Sequence, residues 1–247
     1  MGAIYLLRHG QASFGSNNYD QLSPLGHQQA KVLGGALKAR GVQPEVLISG
    51  TMQRHLETAA GALGEMGIEM AGVRQHGGVN EFDHENVVEV AQPRYVDKVL
   101  MMSEMAASGD PRRTFQKFFQ DAVSRWVGGN HDDEYKEPWS VFKLRVVSAL
   151  DDLVKQTPPK GSTLVFTSGG TISVICAHLL GLNDAQAFTI NWTLANVGIT
   201  KIQAEAGDTI FVPEEMNKSS WMQDLREWTQ IFYQFGLGAA ALKTLQN

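Results

Sequence analysis

Ile4-Tyr5-Leu6-Leu7-Arg8-His9-Gly10-Gln11 is the stretch on which the reading of this chain turns. Four apolar residues stop abruptly at an arginine, a histidine and a glycine. A run this short gives a helix no buried face, but it suits a strand buried on both sides of a sheet. Arg8 and His9 then stand at the strand's C-terminal end, where open α/β sheets bind their ligands.

Working outward, a polar loop from Gln11 to Gln21 leads to Leu22-Ser23-Pro24, where Ser23 can cap a helix and Pro24 fits its first position. Leu25, Val32, Leu33, Ala36 and Leu37 recur at helical spacing until Gly41 and Pro44 end the run. Val46 to Ser49 reads as a second buried strand, followed by a turn and a helix from about Arg54 to Leu63. Strand, helix, strand, helix is the signature of a parallel sheet. Val73 to Val79 reads as another short strand, leading to Asn80 and Glu81.

The pattern then turns helical from about Pro93 to Gln156, with Phe115, Phe118, Phe119, Val123 and Trp126 at helical spacing. The segment 85–138 reads as a helical insertion lying over the sheet's C-terminal edge. The sheet resumes at Thr163–Thr167, turns through Ser168-Gly169-Gly170 and enters an apolar helix, Thr171 to Leu180, ended by Gly181. Val197–Ile202 and Thr209–Val212 are further strands, and Trp221–Phe235 is a terminal amphipathic helix. The expectation is a single domain over 1–247: a three-layer α/β/α fold with a mostly parallel central sheet.

Composition narrows the partners. The 247 residues are 43% hydrophobic and 19% charged, with a formal net charge of −5. Nucleic acid is disfavoured, because phosphate backbones are bound by clustered Lys and Arg and none cluster here. A small anion is still allowed, since a local arginine pair acts inside an acidic protein. Cys176 is the sole cysteine, so no internal disulfide forms and a reducing compartment fits. No long apolar or leader-like segment precedes the first strand, so neither a membrane partner nor export is expected and the reading is cytoplasmic.

Arg8, His9 and Arg54 carry the chemical argument. Arg54 opens the helix after the second strand, so it too lies on the C-terminal side of the sheet, and two guanidinium forks near one imidazole suit a phosphoryl group. Taken singly, Arg54 reads more readily as a surface helix arginine. A nucleophilic Ser168 at the later strand-to-helix turn is disfavoured, because Phe166 stands where the elbow needs glycine and the later His178 sits in the same helix. Asp83-His84-Glu85 and His131-Asp132-Asp133-Glu134 lack the second spaced ligand pair of a zinc site, so no metal or cofactor is expected. His84 follows Glu81 closely and is a candidate substrate contact at the pocket rim. Gln11, Phe14, Asn17 and Tyr19 would line its mouth. His27, His55, His76 and His178 carry no pocket argument and read as structural or exposed.

Leu7-Arg8-His9-Gly10, then Leu22-Ser23-Pro24-Leu25-Gly26-His27-Gln28-Gln29-Ala30, then Arg54-His55-Leu56-Glu57-Thr58-Ala59 resemble the histidine phosphatase superfamily, the phosphoglycerate-mutase-like proteins. The resemblance extends to Val79-Asn80-Glu81, to the Ser-Gly-Gly turn and more faintly to Asn217. It implies that His9 attacks phosphorus and is transiently phosphorylated, that Arg8 and Arg54 spread the charge of the phosphoryl oxygens, and that Glu81 serves as acid and base. Asn17 is the nearest match to an asparagine that touches the phosphoryl group in the family.

One position departs from the pattern. Ser168 stands where the family carries a second histidine, and losing an oxyanion donor typically costs about a hundred- to a thousand-fold in turnover. The hydroxyl of Ser168 and the amides of Gly169 and Gly170 would still face an anion at a helix N-terminus, unless Ser168 only caps that helix. Ser168→His should raise turnover if the pocket has kept its shape. Gln11, where a mutase usually has glutamate, tilts the expectation to a phosphatase acting on a small phosphorylated molecule. The alternatives are a catalytically impaired phosphoester- or phosphate-binding regulatory protein, or a mutase-type phosphotransferase. The oligomeric state is not legible.

Overall fold

The computed structural model describes residues 2–13, 20–205 and 208–211. The elements are β1 (Gly2–Arg8), α1 (Pro24–Ala39), β2 (Val46–Ser49), α2 (Gln53–Met66), β3 (Val73–Gln75), α3 (His84–Ala91), α4 (Lys98–Ala107), α5 (Pro111–Val127), α6 (Trp139–Gln156), β4 (Ser162–Thr167), α7 (Gly169–Leu180), α8 (Asp184–Thr193), β5 (Ile199–Glu205) and β6 (Asp208–Phe211). Phe14, Asn17, Tyr19, Asn217 and the expected helix Trp221–Phe235 lie outside the described residues.

The strands form one sheet in the order β3-β2-β4-β1-β5-β6. β3, β2, β4 and β1 pair in parallel, and β5 and β6 add an antiparallel edge. The architecture is α/β with a mostly parallel sheet. Alternate residues of a strand serve opposite faces. Tyr5, Leu7, Leu47, Leu164 and Phe166 join Leu33 and Leu37 of α1 and Ala59, Ala62 and Leu63 of α2 in one core. Ile4, Leu6, Ile48 and Val165 are buried on the other face, where α7 packs against β1.

This topology sets where the candidate site lies. From β1 the chain crosses through α1 to β2, beyond β4; from β4 it leaves through α7 and α8 to β5, beyond β1. The two connections diverge between β1 and β4, and ligands bind outside the C-terminal strand ends at such a switch point. His9 follows β1 and Ser168 follows β4.

Several boundaries differ from the expectation for local reasons. α2 starts at Gln53 and runs to Met66, where Gly67 closes it in the left-handed conformation (φ 75°). β3 stops at Gln75 rather than Val79, because the His76 ring accepts a hydrogen bond from the Gly78 amide (3.0 Å) and residues 77–79 coil into a 3-10 turn. α7 begins at Gly169, directly after Ser168, rather than at Thr171.

The chain divides into two compact units, Met1–Glu81 with Val146–Asn247, and Phe82–Arg145. The second is helical and contains the segment 85–138. In it Phe82 stacks on Trp126 with ring centres 4.7 Å apart, and the Trp126 indole donates to the Glu137 carbonyl at 2.9 Å. Val88, Tyr95 and Met105 form a further core with Phe115, Phe118 and Phe119 against it. Among the described residues no helix is long and apolar enough to cross a membrane.

Candidate functional site

His9 is held from several sides. Its amide donates to the Thr167 carbonyl at the end of β4 (2.9 Å), and its own carbonyl accepts from the Asn196 side chain (3.1 Å). Gly10 donates its amide to Thr58 Oγ1 (3.0 Å), and that hydroxyl donates to the Arg54 carbonyl one turn back in α2 (2.7 Å). The ring's Nδ1 lies 2.6 Å from the Gly10 carbonyl oxygen. A carbonyl only accepts, so Nδ1 carries the proton and Nε2 keeps its lone pair. His9 is 7% exposed. Burial above all, then the charge of Arg54, the neighbouring His55 ring and the charge of Arg8, hold it well below the ordinary imidazole range, against the weaker opposing effect of the Gly10 bond. The ring is therefore neutral near pH 7.

Both arginines are anchored. Arg8 donates from NH1 to the Leu194 carbonyl beyond α8. Its guanidinium lies against the start of α7, where a Cβ on Gly169 would stand 3.3 Å from Arg8 Nε and collide with the Asn191 side chain. Glycine at 169 thus leaves room for two polar side chains that approach closely. Arg54, 3% exposed, donates from NH1 to Asp20 Oδ1 at 2.6 Å, while the other oxygen of Asp20 accepts from the Gln53 amide at 2.8 Å. Asp20 therefore fixes the fork of Arg54 and the start of α2 together. It was not singled out from sequence, because it lies 34 residues before Arg54 and in a different loop.

Glu81 comes to the same place. Its Oε2 accepts from the Gly170 amide at 3.1 Å, at the positive end of the α7 dipole. The segment before it is pinned to the start of α7, since Thr167 Oγ1 donates to the Val79 carbonyl (2.6 Å) and Thr171 Oγ1 to the Asn80 carbonyl (2.9 Å).

Ser168 and His55 require two corrections. Ser168 occupies the N-cap position of α7, yet its side chain makes no capping bond. Instead its Oγ shares a 2.5 Å hydrogen bond with His55 Nε2. His55, read from sequence as having no pocket argument, has its ring centre 5.7 Å from that of His9. Both His55 and Ser168 are fully buried. Burial, with Arg54 beside it, pushes the His55 imidazole down to about 3, so it too is neutral. The signal that was overlooked is its place directly after Arg54 at the first turn of α2, beside the end of β4.

The remaining candidates separate. Gln11 accepts from the Ser23 hydroxyl through its side chain (2.9 Å), and its amide donates to Gln29 (2.8 Å), so it closes the loop onto α1. His84 opens α3 in the helical unit. His27 is exposed and lies 3.8 Å from Glu57, and His76 faces Asp152 at 3.6 Å. Cys176 is buried, its thiol pushed up to about 12 by burial, as suits a small core residue. Among the described residues no group of three or more His, Cys, Asp or Glu side chains could hold a metal ion.

With this geometry in view, a family model described as the histidine phosphatase superfamily (branch 1) matches residues 4–96 and 102–216. The chain belongs to that superfamily. Solved structures of similar fold include a phosphoglycerate mutase from Bacillus anthracis (TM-score 0.57, 17% identity, 86% of this chain and 92% of that one). A phosphoserine phosphatase from Entamoeba histolytica, in complex with 3-phosphoglyceric acid, is similar at TM-score 0.57 and 19% identity over 90% of this chain and 100% of that one. So is a putative alpha-ribazole-5'-P phosphatase from Escherichia coli, at TM-score 0.57 and 16% identity over 86% and 95%. At these identities the likeness speaks for the fold. No curated protein matches the chain in sequence.

Proposed function

We propose that this superfamily member is a phosphatase that hydrolyses a small phosphomonoester through a phosphohistidine on His9. The observation that carries the reading is the His9 ring itself. Its Nδ1–H is fixed on the Gly10 carbonyl at 2.6 Å, its Nε2 lone pair is left over, and the charges of Arg8 and Arg54 bear on it. A buried neutral imidazole beside two guanidiniums has the two requirements of attack on a phosphate ester: a lone pair, and positive charge for the phosphoryl oxygens.

In the first step Nε2 forms a bond to phosphorus as the bond to the ester oxygen breaks, and the leaving alkoxide takes a proton from the carboxyl of Glu81. In the second, Glu81 as carboxylate takes a proton from water while the water oxygen attacks phosphorus. The phosphorus–nitrogen bond breaks, phosphate leaves, and His9 is again neutral. The bond from the Gly170 amide holds one oxygen of Glu81 and suits it as the carboxylate that takes the proton in the second step.

The structural neighbours named as phosphatases and mutases favour a small phosphorylated metabolite as substrate. Against a mutase, the Gln11 side chain is committed to Ser23 rather than offered to a second acidic group. A phosphoester-binding protein of low turnover is the second reading, and Ser168 in place of a histidine is the observation that favours it.

Steady-state hydrolysis of a panel of phosphomonoesters separates the two. Glu81→Gln should lower kcat by about a hundred- to ten-thousand-fold, the usual contribution of a positioned acid–base group, and His9→Ala should remove turnover. Hydrolysis that is indifferent to His9 would count against both the mechanism and the assignment. Tight phosphate binding without any His9-dependent turnover would favour the binder.

A further inference from the structure

We propose that His55 is a positioning residue that turns the Ser168 hydroxyl into a hydrogen-bond donor for the bound anion, so that the two side chains jointly supply an oxyanion donor beside His9. The proposal rests on the phosphoryl-binding reading of the site above, and concerns which groups complete it.

The geometry starts from the unused cap. A serine at an N-cap ordinarily accepts from an amide of the first helical turn, and Ser168 does not. Its hydroxyl is drawn to His55 Nε2 at 2.5 Å. The direction of that bond follows from the other side of the ring. His55 Nδ1 is buried with no hydrogen-bond partner among the described residues, and it faces Gly50 so closely that a Cβ there would collide with it. A proton on Nδ1 would bury an unpaired N–H, whereas a proton on Nε2 finds Ser168 Oγ and leaves only a lone pair against Gly50. Nε2–H therefore donates, Oγ accepts, and the serine's own proton is free to be given elsewhere.

What lies within its reach is the anion site. Ser168 follows Thr167, whose carbonyl holds the His9 amide at 2.9 Å, and the His55 and His9 ring centres are 5.7 Å apart. Ser168 also directly precedes α7, whose second residue, Gly170, gives its amide to Glu81. With Ser168 and His55 fully buried, a hydroxyl so held pre-organises one donor at no cost in reorganisation when charge develops. Gly50 is part of the same arrangement, because any larger residue at the end of β2 would push the His55 ring off Ser168.

The test is a double-mutant cycle with two readouts: kcat and KM on a phosphomonoester, and calorimetric affinity for orthovanadate, an anion that binds without turnover. His55→Leu and Ser168→Ala should each lower kcat about tenfold to a hundredfold and weaken vanadate binding, with KM less affected. The double variant should be no worse than Ser168→Ala alone, since both changes remove the same donor. His55→Gln, whose amide N–H can reach Ser168, should recover most of the loss. Additive losses, or His55→Leu being harmless where Ser168→Ala is not, would overturn the pairing while leaving the phosphatase reading intact. A wild-type chain that neither hydrolyses the ester nor binds vanadate would overturn both. Should His55→Leu fail to fold, His55→Met, which fills the space of the ring and cannot donate, takes its place: losses in kcat and vanadate affinity matching those of Ser168→Ala support the proposal, and no loss contradicts it.

Discussion

A histidine substituted for Ser168 would meet an imidazole that is already there. His55 Nε2 lies 2.5 Å from Ser168 Oγ, and the ring is backed by Gly50, so it has no room to retreat. The sequence-based expectation that Ser168→His raises turnover therefore reverses. The single variant should have no more turnover than wild type and a lower Tm, while His55→Ala with Ser168→His, which vacates the space for the new ring, should exceed the single variant by about a hundredfold in kcat, the scale of one oxyanion donor. A single variant faster than wild type would show that the two rings can coexist. At this scale the sequence pointed to residues through the motifs they sit in, as with His9, Arg8 and Arg54. It was unreadable where a role depends on a partner distant in the chain: nothing local marks His55 as the partner of Ser168, or Asp20 as the partner of Arg54.

Elements were legible by their stops. Ser23 and Pro24 mark the start of α1, and Gly181 closes α7 in the left-handed conformation (φ 65°), both as the residue types require. Boundaries failed where a side chain intervened, as when His76 coils the chain before Val79. Other limits are set by packing that no single helix announces. α1 and α2 lie so close that a Cβ on Gly34 would collide with the Ala62 carbonyl oxygen, a backbone atom that cannot swing away. Gly34→Ala should therefore destabilise by about 1–3 kcal/mol, as overpacking does, in spite of the roughly 1 kcal/mol that alanine gains over glycine within a helix. Urea unfolding would register this as a lower midpoint at an unchanged slope. An unchanged or higher midpoint would mean that the helices can part without loss.

The molecule as a whole carries two buried neutral histidines at one sheet edge, and its stability should depend on pH accordingly. The unfolded chain takes up a proton on each near pH 6.5, whereas folded His55 resists until about 3 and folded His9 is likewise held well below its ordinary value. Between those limits the unfolded state binds more protons, so stability is full above about 6.5 and falls on acidification, by up to about 1.4 kcal/mol per pH unit for each ring. His55→Gln removes one titrating group, and its stability should decline less steeply than that of wild type between pH 6.5 and 4.5. Parallel declines would contradict the buried neutral state of His55. The parallel sheet followed from the order of short apolar runs, because topology restricts how such runs connect, whereas the strand order that sets the switch point did not. The division after Glu81 and within α6 did not, since no proline- or glycine-rich linker marks it.

The central claim is that His9 becomes covalently phosphorylated. It is tested most directly by mixing the protein with a phosphomonoester labelled in its phosphoryl group and denaturing within milliseconds at alkaline pH, where a phosphorus–nitrogen bond survives. A phosphohistidine intermediate puts label on the wild-type chain, located by peptide mapping to His9, and none on His9→Ala. Turnover of the ester with no label on either chain, or label that persists when His9 is replaced, would contradict it.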